Sequence, residues 1–167
     1  LTCTVSNGSG IMPPAPVTDV SVTCSDNAYT LGGTITGLIA PNLVLTTGSQ
    51  DKTVSANAAM FTFDQAVAYT SPYTVSVKTP PLGEKCDVIN ASGVMPPGPN
   101  IDKVQVSCVA QPFTIGGTVS GLAPGASVHL LDNGTDRQQV SVDGAFTFPT
   151  PVLSGSAYAV TVEINPT

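Results

Sequence analysis

The stretch YTLGGTITGL, residues 29–38, returns as FTIGGTVSGL at residues 113–122, with six of its ten positions identical. The same shift of 84 residues places Cys24 on Cys108. The period is therefore about 84 residues and the chain holds almost two of them. This pattern predicts two copies of one fold, or a part of a longer array.

The similarity continues along both periods. SANAAMFTF (55–63) meets SVDGAFTF (141–148), and YTVSVKTP (73–80) meets YAVTVEINP (158–166). Short runs of Val, Thr, Ile, Tyr and Phe alternate with polar residues and are broken by Gly, Asn, Asp and Pro, a pattern typical of strands and turns. No stretch has the apolar spacing of a helix. We therefore predict an all-β fold of tandem immunoglobulin-like β-sandwiches, each with seven short antiparallel strands in about 84 residues.

Four motifs follow one another in the second copy. They are GGTVSGL (116–122), SVHLLDNG (127–134), VDGAFTF (142–148) and SGSAYAVTV (154–162). Their order resembles the transthyretin-like or Cna-B-like tandem repeats of bacterial secreted surface and adhesin-type proteins. The resemblance implies an Ig-like sandwich in a bacterial extracellular protein. The chain departs from some Cna-B domains because no Lys and Asn set for an isopeptide crosslink is found, and disulfides would take that role.

The four cysteines form two similarly spaced pairs, Cys3 with Cys24 and Cys86 with Cys108. In a chain rich in Thr, Gly and Asn this spacing favours disulfides and an oxidising compartment, so we expect an extracellular or cell-surface protein. Four cysteines allow three connectivities, and the repeat symmetry favours these two pairs. A zinc site is disfavoured because its ligands usually come in close C-x2-C pairs, and we expect no metal.

Each cysteine pair brackets a predicted hairpin. Opposing Cys3 with Cys24 also sets Val5 against Val22, and the second copy repeats the arrangement. The period of two predicts that the cysteines and valines share a core-facing side of two neighbouring strands. Closing a loop of some twenty residues stabilises by about 3 kcal/mol in the chain-entropy model.

The hairpin decides where a domain begins. In the first partition, residues 1–24 are the terminal disulfide hairpin of a preceding repeat, or are donated to a neighbouring molecule. Residues 25–108 then form a complete sandwich, and residues 109–167 form a sandwich that lacks its last hairpin. The second partition places the hairpin first, with domains at 1–83 and 84–167. An incomplete sandwich exposes apolar core and unpaired edges, so the first partition predicts a longer covalent array or strand addition between molecules.

The hairpin loops are nearly identical, NGSGIMPPAPV at residues 7–17 and NASGVMPPGPN at residues 90–100. Proline cannot extend a sheet, and methionine fills irregular apolar gaps. We therefore predict an interdomain or assembly loop that caps a sandwich, made of Met12, Pro13, Pro14, Met95, Pro96 and Pro97. A polyproline ligand or sugar-binding tip is the alternative, but the chain has no Trp to form an aromatic platform.

The charge and the titratable residues exclude several classes of function. A net charge of -6 opposes binding to nucleic acid and to anionic membrane surfaces, and no window is apolar enough for a membrane span. The lone His129 lies in a predicted strand without a Ser, Cys or Asp set for catalysis, so we expect no enzyme and no cofactor. Asp132, Asp136 and Asp143 with Asn133 are candidate calcium ligands, but they fit turn geometry and match no EF-hand loop.

Three N-x-[ST] sequons make Asn7, Asn90 and Asn133 candidate glycan acceptors. Asn-rich turns also produce such sequons by chance. In a bacterial protein general N-glycosylation is not expected.

The leading hypothesis is a structural repeat of an extracellular fibre or adhesin stalk. Its partners would be neighbouring repeats or subunits, joined head to tail as a filament or as a covalent tandem array. The alternative is a module of a secreted enzyme or adhesin that binds a glycan or a host protein through its loops.

Overall fold

The computed structural model describes residues 1–166, and of residues 101 and 102 it describes the backbone alone. These residues contain strands and no helix, which confirms the all-β prediction. In chain order the strands are β1 (Thr2–Ser6), β2 (Ser21–Ser25), β3 (Ala28–Tyr29), β4 (Leu31–Thr36), β5 (Leu43–Thr46), β6 (Asp51–Val54), β7 (Met60–Thr62), β8 (Val67–Ala68), β9 (Pro72–Thr74), β10 (Ser76–Thr79), β11 (Glu84–Ile89), β12 (Ser92–Val94), β13 (Asn100–Ala110), β14 (Pro112–Phe113), β15 (Gly116–Val119), β16 (Val128–Asp132), β17 (Asp136–Val140), β18 (Gly144–Thr147), β19 (Val152–Leu153) and β20 (Val160–Ile164).

The chain divides into two compact units. The first contains Leu1–Pro80 and Cys86–Ser107, and the second contains Pro81–Lys85 and the described residues from Cys108 on. The division falls within β11 and β13, so it differs from both partitions drawn from the sequence.

The first unit contains a four-stranded sheet in the order β11, β13, β4, β7 and a three-stranded sheet in the order β10, β5, β6. β4 and β7 are antiparallel, whereas β13 runs parallel to β4 with Val104 beside Gly33 and Val106 beside Ile35. The prediction of purely antiparallel strands is therefore wrong for this pair. A parallel neighbour needs a long connection, and Thr36 of β4 and Val106 of β13 are 70 positions apart in the sequence.

The core of the first unit follows the period-two alternation of its strands. Alternate residues of β5 and β13 are buried and the residues between them are more exposed, whereas β4 is buried from Leu31 to Gly33 and again at Ile35. Phe61 and Phe63 pack edge to face with ring centroids 5.7 Å apart. The buried apolar residues of this unit are Leu31, Ile35, Leu38, Leu43, Leu45, Val54, Phe61, Phe63, Val75, Cys86, Met95, Val104 and Val106.

The second unit has a smaller core. Val128, Leu130, Val140 and Phe148 are buried, and Ile115, Val119, Leu122 and Phe146 pack partly against them. Its sheets are β17-β16-β20, β15-β18 and β14-β19. Phe146 and Phe148 repeat the edge-to-face contact of the first unit at the same centroid distance of 5.7 Å.

The stretches that align in the sequence are paired alike in the two units. Gly33 lies opposite Phe61 in the first unit, and Gly117 lies opposite Phe146 in the second. The backbone hydrogen bonds also correspond: the N–H of Phe63 donates to the carbonyl of Leu31 at 2.9 Å, and that of Phe148 donates to Ile115 at 2.8 Å. Equivalent residues of the two units can therefore be compared one by one.

Candidate assembly site

The hairpin of β1 and β2 has the predicted register. Cys3 lies opposite Cys24 and Val5 opposite Val22, and the two cysteines form a disulfide. All residues from 1 to 26 are exposed, including Val5 at 58% and Val22 at 62%. The prediction that these valines face a core is therefore wrong within this chain, because a two-stranded ribbon has no second layer to cover them.

The hairpin is held at both ends. The disulfide closes the open end, while Asn7 at the loop end has a left-handed backbone (φ 55°) and donates from Nδ2 to the carbonyl of Asp19 at 3.1 Å. Asn90 repeats this geometry, with φ 54° and a 3.1 Å hydrogen bond to Lys103. The exposed ribbon is thus ordered by its own contacts before anything binds to it.

The equivalent hairpin of β11 and β13 is part of the first unit's sheet. Val104 and Val106, which align with Val20 and Val22, are completely buried. Cys86 and Cys108 are buried and disulfide-bonded, and because Cys3 bonds to Cys24 they must bond to each other. The same sequence element is therefore exposed in one copy and buried in the other.

The two Met-Pro-Pro loops differ in the same way. Met95 is only 1% exposed, and its backbone is held by two hydrogen bonds, from its N–H to Ser71 (2.9 Å) and from the Thr70 N–H to its carbonyl (3.1 Å). Met12 is 73% exposed. The four prolines of these loops are exposed in both copies: Pro13, Pro14, Pro96 and Pro97.

β12 fixes the second loop against β9. Gly93 lies opposite Tyr73, and a Cβ at Gly93 would lie 2.7 Å from the phenolic oxygen. That oxygen also accepts a 2.8 Å hydrogen bond from Nδ2 of the buried Asn100. The loop therefore closes one end of the first unit's core, which is a structural role for Met95.

The edge of β15 differs from that of β4. β4 lies between β7 and β13, whereas β15 pairs with β18 and, in the described part of the chain, with no other strand. The hydrogen bond from Phe148 to Ile115 sets the alternation, so the N–H and C=O of Thr118 point away from β18. Gly116, Gly117 and Thr118 are exposed, whereas the aligned Gly32 and Gly33 are buried.

The glycines of β4 and β15 differ in the neighbours that a Cβ atom would meet. A Cβ at Gly33 would collide with the carbonyl oxygen of Val104 on the neighbouring β13. At Gly117 the contacts of a Cβ within the described residues are with the ring of Phe146, at 3.1 and 3.2 Å. The open edge of β15 thus has the shape that receives a strand in the first unit.

Apolar residues on and just before β20 are also uncovered. Tyr158 is 67% exposed, and Val160 and Val162 of β20 are exposed as well. Their aligned counterparts Tyr73, Val75 and Val77 are half-buried or buried. We define the acceptor site as β15 together with Tyr158, Val160 and Val162. In the sequence the Gly-Gly pairs mark the repeat, and they do not by themselves indicate this site.

The acidic residues weighed as calcium ligands bind backbone N–H groups. Asp132 Oδ1 accepts from Ala159 at 3.1 Å, and Asp136 Oδ2 accepts from Thr150 at 3.0 Å. Asp143 accepts from Leu122 and Gly121, both at 2.8 Å, and these two hydrogen bonds lower the pKa of its carboxyl group. Each carboxylate therefore joins its own turn to a second segment that is distant along the chain.

His129 and Asn133 lie on the β16–β17 hairpin. His129 is half-buried opposite Gln139, and its Nδ1 has no hydrogen-bond partner among the described residues. Asn133 has φ 50° and donates from Nδ2 to Ala157 at 3.4 Å. All three sequon asparagines, Asn7, Asn90 and Asn133, thus have left-handed backbones and donate from their side-chain amides to backbone carbonyls of a neighbouring segment.

Among residues 1–166 there is no helix with the length and apolar character needed to cross a membrane. No protein-family model, curated protein or solved structure matches the chain.

Proposed function

We propose that this chain is a structural element of an extracellular fibre or adhesin stalk, built from tandem Ig-like β-sandwiches joined head to tail. The observation that supports it is a pair of complementary surfaces. The β1–β2 hairpin is exposed and ordered, and the acceptor site is exposed, while the equivalent pieces are buried together in the first unit. Surfaces of this kind are strand partners in other β proteins.

The chemistry of the chain suits an extracellular structural role. Its four cysteines are all in disulfides, which persist in oxidising compartments. Only 10% of its residues are charged, so Ser, Thr, Asn and Gly supply most of the polar surface. Such a surface allows close packing of copies with little charge to desolvate.

A joint of this kind is strong for its size. Full burial of an apolar side chain such as Val or Met stabilises by about 1.5–3 kcal/mol, and added strand hydrogen bonds satisfy the edge groups of β15. Val20, Val22 and Met12 on the hairpin are exposed, whereas their aligned counterparts Val104, Val106 and Met95 are buried. The hairpin needs little ordering because its disulfide and Asn7 already hold it.

The proposal is tested by the length of the native polypeptide and by the behaviour of the isolated chain. The native protein is run under denaturing, reducing conditions, and the purified 167-residue chain is examined by sedimentation velocity and negative-stain electron microscopy. A native chain of many periods supports a covalent array, and threads that lengthen with concentration support assembly between molecules. A soluble native monomer near 17 kDa that binds a glycan would overturn the proposal in favour of a binding module.

A further inference from the structure

We propose that the acceptor site binds the β1–β2 hairpin of a second copy of this chain, with β2 parallel to β15 in one fixed register. The inference deepens the proposed function, because it names the partner and the residues of the joint.

The register follows from the first unit. There β13 runs parallel to β4, with Val104 beside Gly33 and Val106 beside Ile35. Shifting both strands by 84 residues replaces β13 with residues 16–26, which contain β2, and β4 with the segment that contains β15. Val20 of one copy then lies beside Gly117 of the other, Ser21 beside Thr118, and Val22 beside Val119. The valines enter the core side, where Val104 and Val106 are buried in the first unit.

The surroundings of Gly117 indicate that the ligand of the acceptor site is a strand. The Phe146 ring contacts Gly117 but leaves the side of Gly117 at the open edge of β15 uncovered. In the first unit the Val104 carbonyl packs directly on Gly33. The carbonyl of Val20, the residue directly before β2 in the incoming hairpin, takes that position. The N–H and C=O of Thr118, which point away from β18, then join the ladder.

The Met-Pro-Pro loop supplies a second contact. Gly93 packs on Tyr73 in the first unit, and the aligned residues are Gly10 and Tyr158. A Cβ at Gly10 has no neighbour within 4 Å in this chain, and Tyr158 is exposed. In the joint Gly10 lies on Tyr158, and Met12 takes the buried position that Met95 has in the first unit.

The partner is a second copy of this chain, because its β1–β2 hairpin has each feature of the β11–β13 hairpin that occupies the equivalent site in the first unit. It has the disulfide, the valines at alternate positions, the Asn turn and the Met-Pro-Pro loop. Its backbone already has the required shape, since Asn7 and Asn90 share the same φ and the same hydrogen bond across the hairpin.

The first experiment uses two full-length variants. Val22→Asp places a charge on the core side of the donor and should weaken the joint more than about tenfold. Thr118→Pro removes an N–H that no strand of the described chain uses and blocks the acceptor edge. Each variant alone should sediment as a monomer, and an equimolar mixture should form a 1:1 dimer through its one intact donor and one intact acceptor.

Circular dichroism and thermal unfolding of each variant show that it is folded. Thr4→Asp is the matched control, because the aligned residue of the first unit is already the acid Asp87, and this variant should assemble like the unchanged chain. A folded mixture that stays monomeric while the unchanged chain assembles overturns the proposed joint and leaves the fibre function standing. A 1:1 dimer from the mixture, with closed dimers of the unchanged chain, supports the joint and opposes the fibre.

The second experiment tests the register. Ser21→Glu with Thr118→Glu in one chain places like charges side by side on the solvent face and should weaken assembly by up to about fivefold. Ser21→Glu with Thr118→Lys should restore it. Equal effects of the two double variants on the sedimentation profile would overturn the register.

Discussion

At the scale of single residues, Gly33 and Gly117 hold the same place in two strands that have different neighbours. Gly33 is buried under the Val104 carbonyl, and Gly117 is exposed beside the ring of Phe146. Sequence alone explains both as strand glycines of a repeat. The sequence does not show that a second strand lies beside Gly33, whereas Gly117 has no second neighbouring strand in the described part of the chain.

Alanine at these two positions separates folding from assembly. Gly33→Ala should destabilise the first unit by about 1–3 kcal/mol, because the backbone of β13 has to move. Gly117→Ala should leave thermal unfolding of the monomer nearly unchanged, since the Phe146 ring needs to shift by only a few tenths of an ångström. The same variant should lose self-association in sedimentation velocity. Normal assembly of Gly117→Ala would show that β15 receives no strand.

The two methionines provide a matched pair of truncations. Met95→Ala should destabilise the first unit by about 2–5 kcal/mol, because it leaves a cavity at a buried site. Met12→Ala removes an exposed side chain and should leave unfolding of the monomer unchanged while weakening assembly. Chemical denaturation measures the first effect and sedimentation the second. Equal losses of stability in the two variants would contradict the different burial of the loops.

Asp143 gives the second unit a defined dependence on acid. The N–H groups of Leu122 and Gly121 favour its charged form, so its pKa in the folded protein lies below the ordinary value of 3.8. Its contribution to stability is therefore present above the unfolded pKa and is lost as the pH falls through the folded pKa. Asp143→Ala should lower the melting temperature at pH 6, and the difference should shrink as the pH falls below 3.8. A difference that is independent of pH would contradict this account.

At the scale of strands, the sequence was sufficient for the all-β class and for the register of the first hairpin. Alternating valines and paired cysteines determine which residues of β1 and β2 face each other. The parallel pairing of β13 with β4 was not predictable from the alternation, because a period of two is the same in either direction. The acceptor site also escaped prediction, since it depends on which strands are neighbours.

The two disulfides should respond differently to a reductant. Cys3 and Cys24 are exposed on the ribbon, whereas Cys86 and Cys108 are buried. Thiolate attack requires access to a sulfur, so mild dithiothreitol should reduce the first bond while the second persists. Alkylation followed by peptide mass spectrometry should find label first at Cys3 and Cys24. Simultaneous labelling of all four cysteines would indicate that burial does not protect the second bond.

At the scale of the whole molecule, apolar burial and backbone hydrogen bonds would dominate the joint. Each copy carries a net charge of -6, so copies repel one another weakly at low ionic strength. Raising the salt concentration from about 0.05 to 0.5 M screens this repulsion and should strengthen assembly slightly. Sedimentation velocity across this range provides the measurement. Dissociation by salt would instead indicate a joint made of ion pairs.

Any assembly built on this pattern has a polarity, because the hairpin and the β15 edge are different surfaces of the chain. One end of a thread presents a free hairpin and the other presents a free β15 edge. The two ends are chemically different, so they can grow at different rates. A chain blocked at its acceptor edge can still add by its hairpin to one end, where it stops growth, and it has no effect at the other.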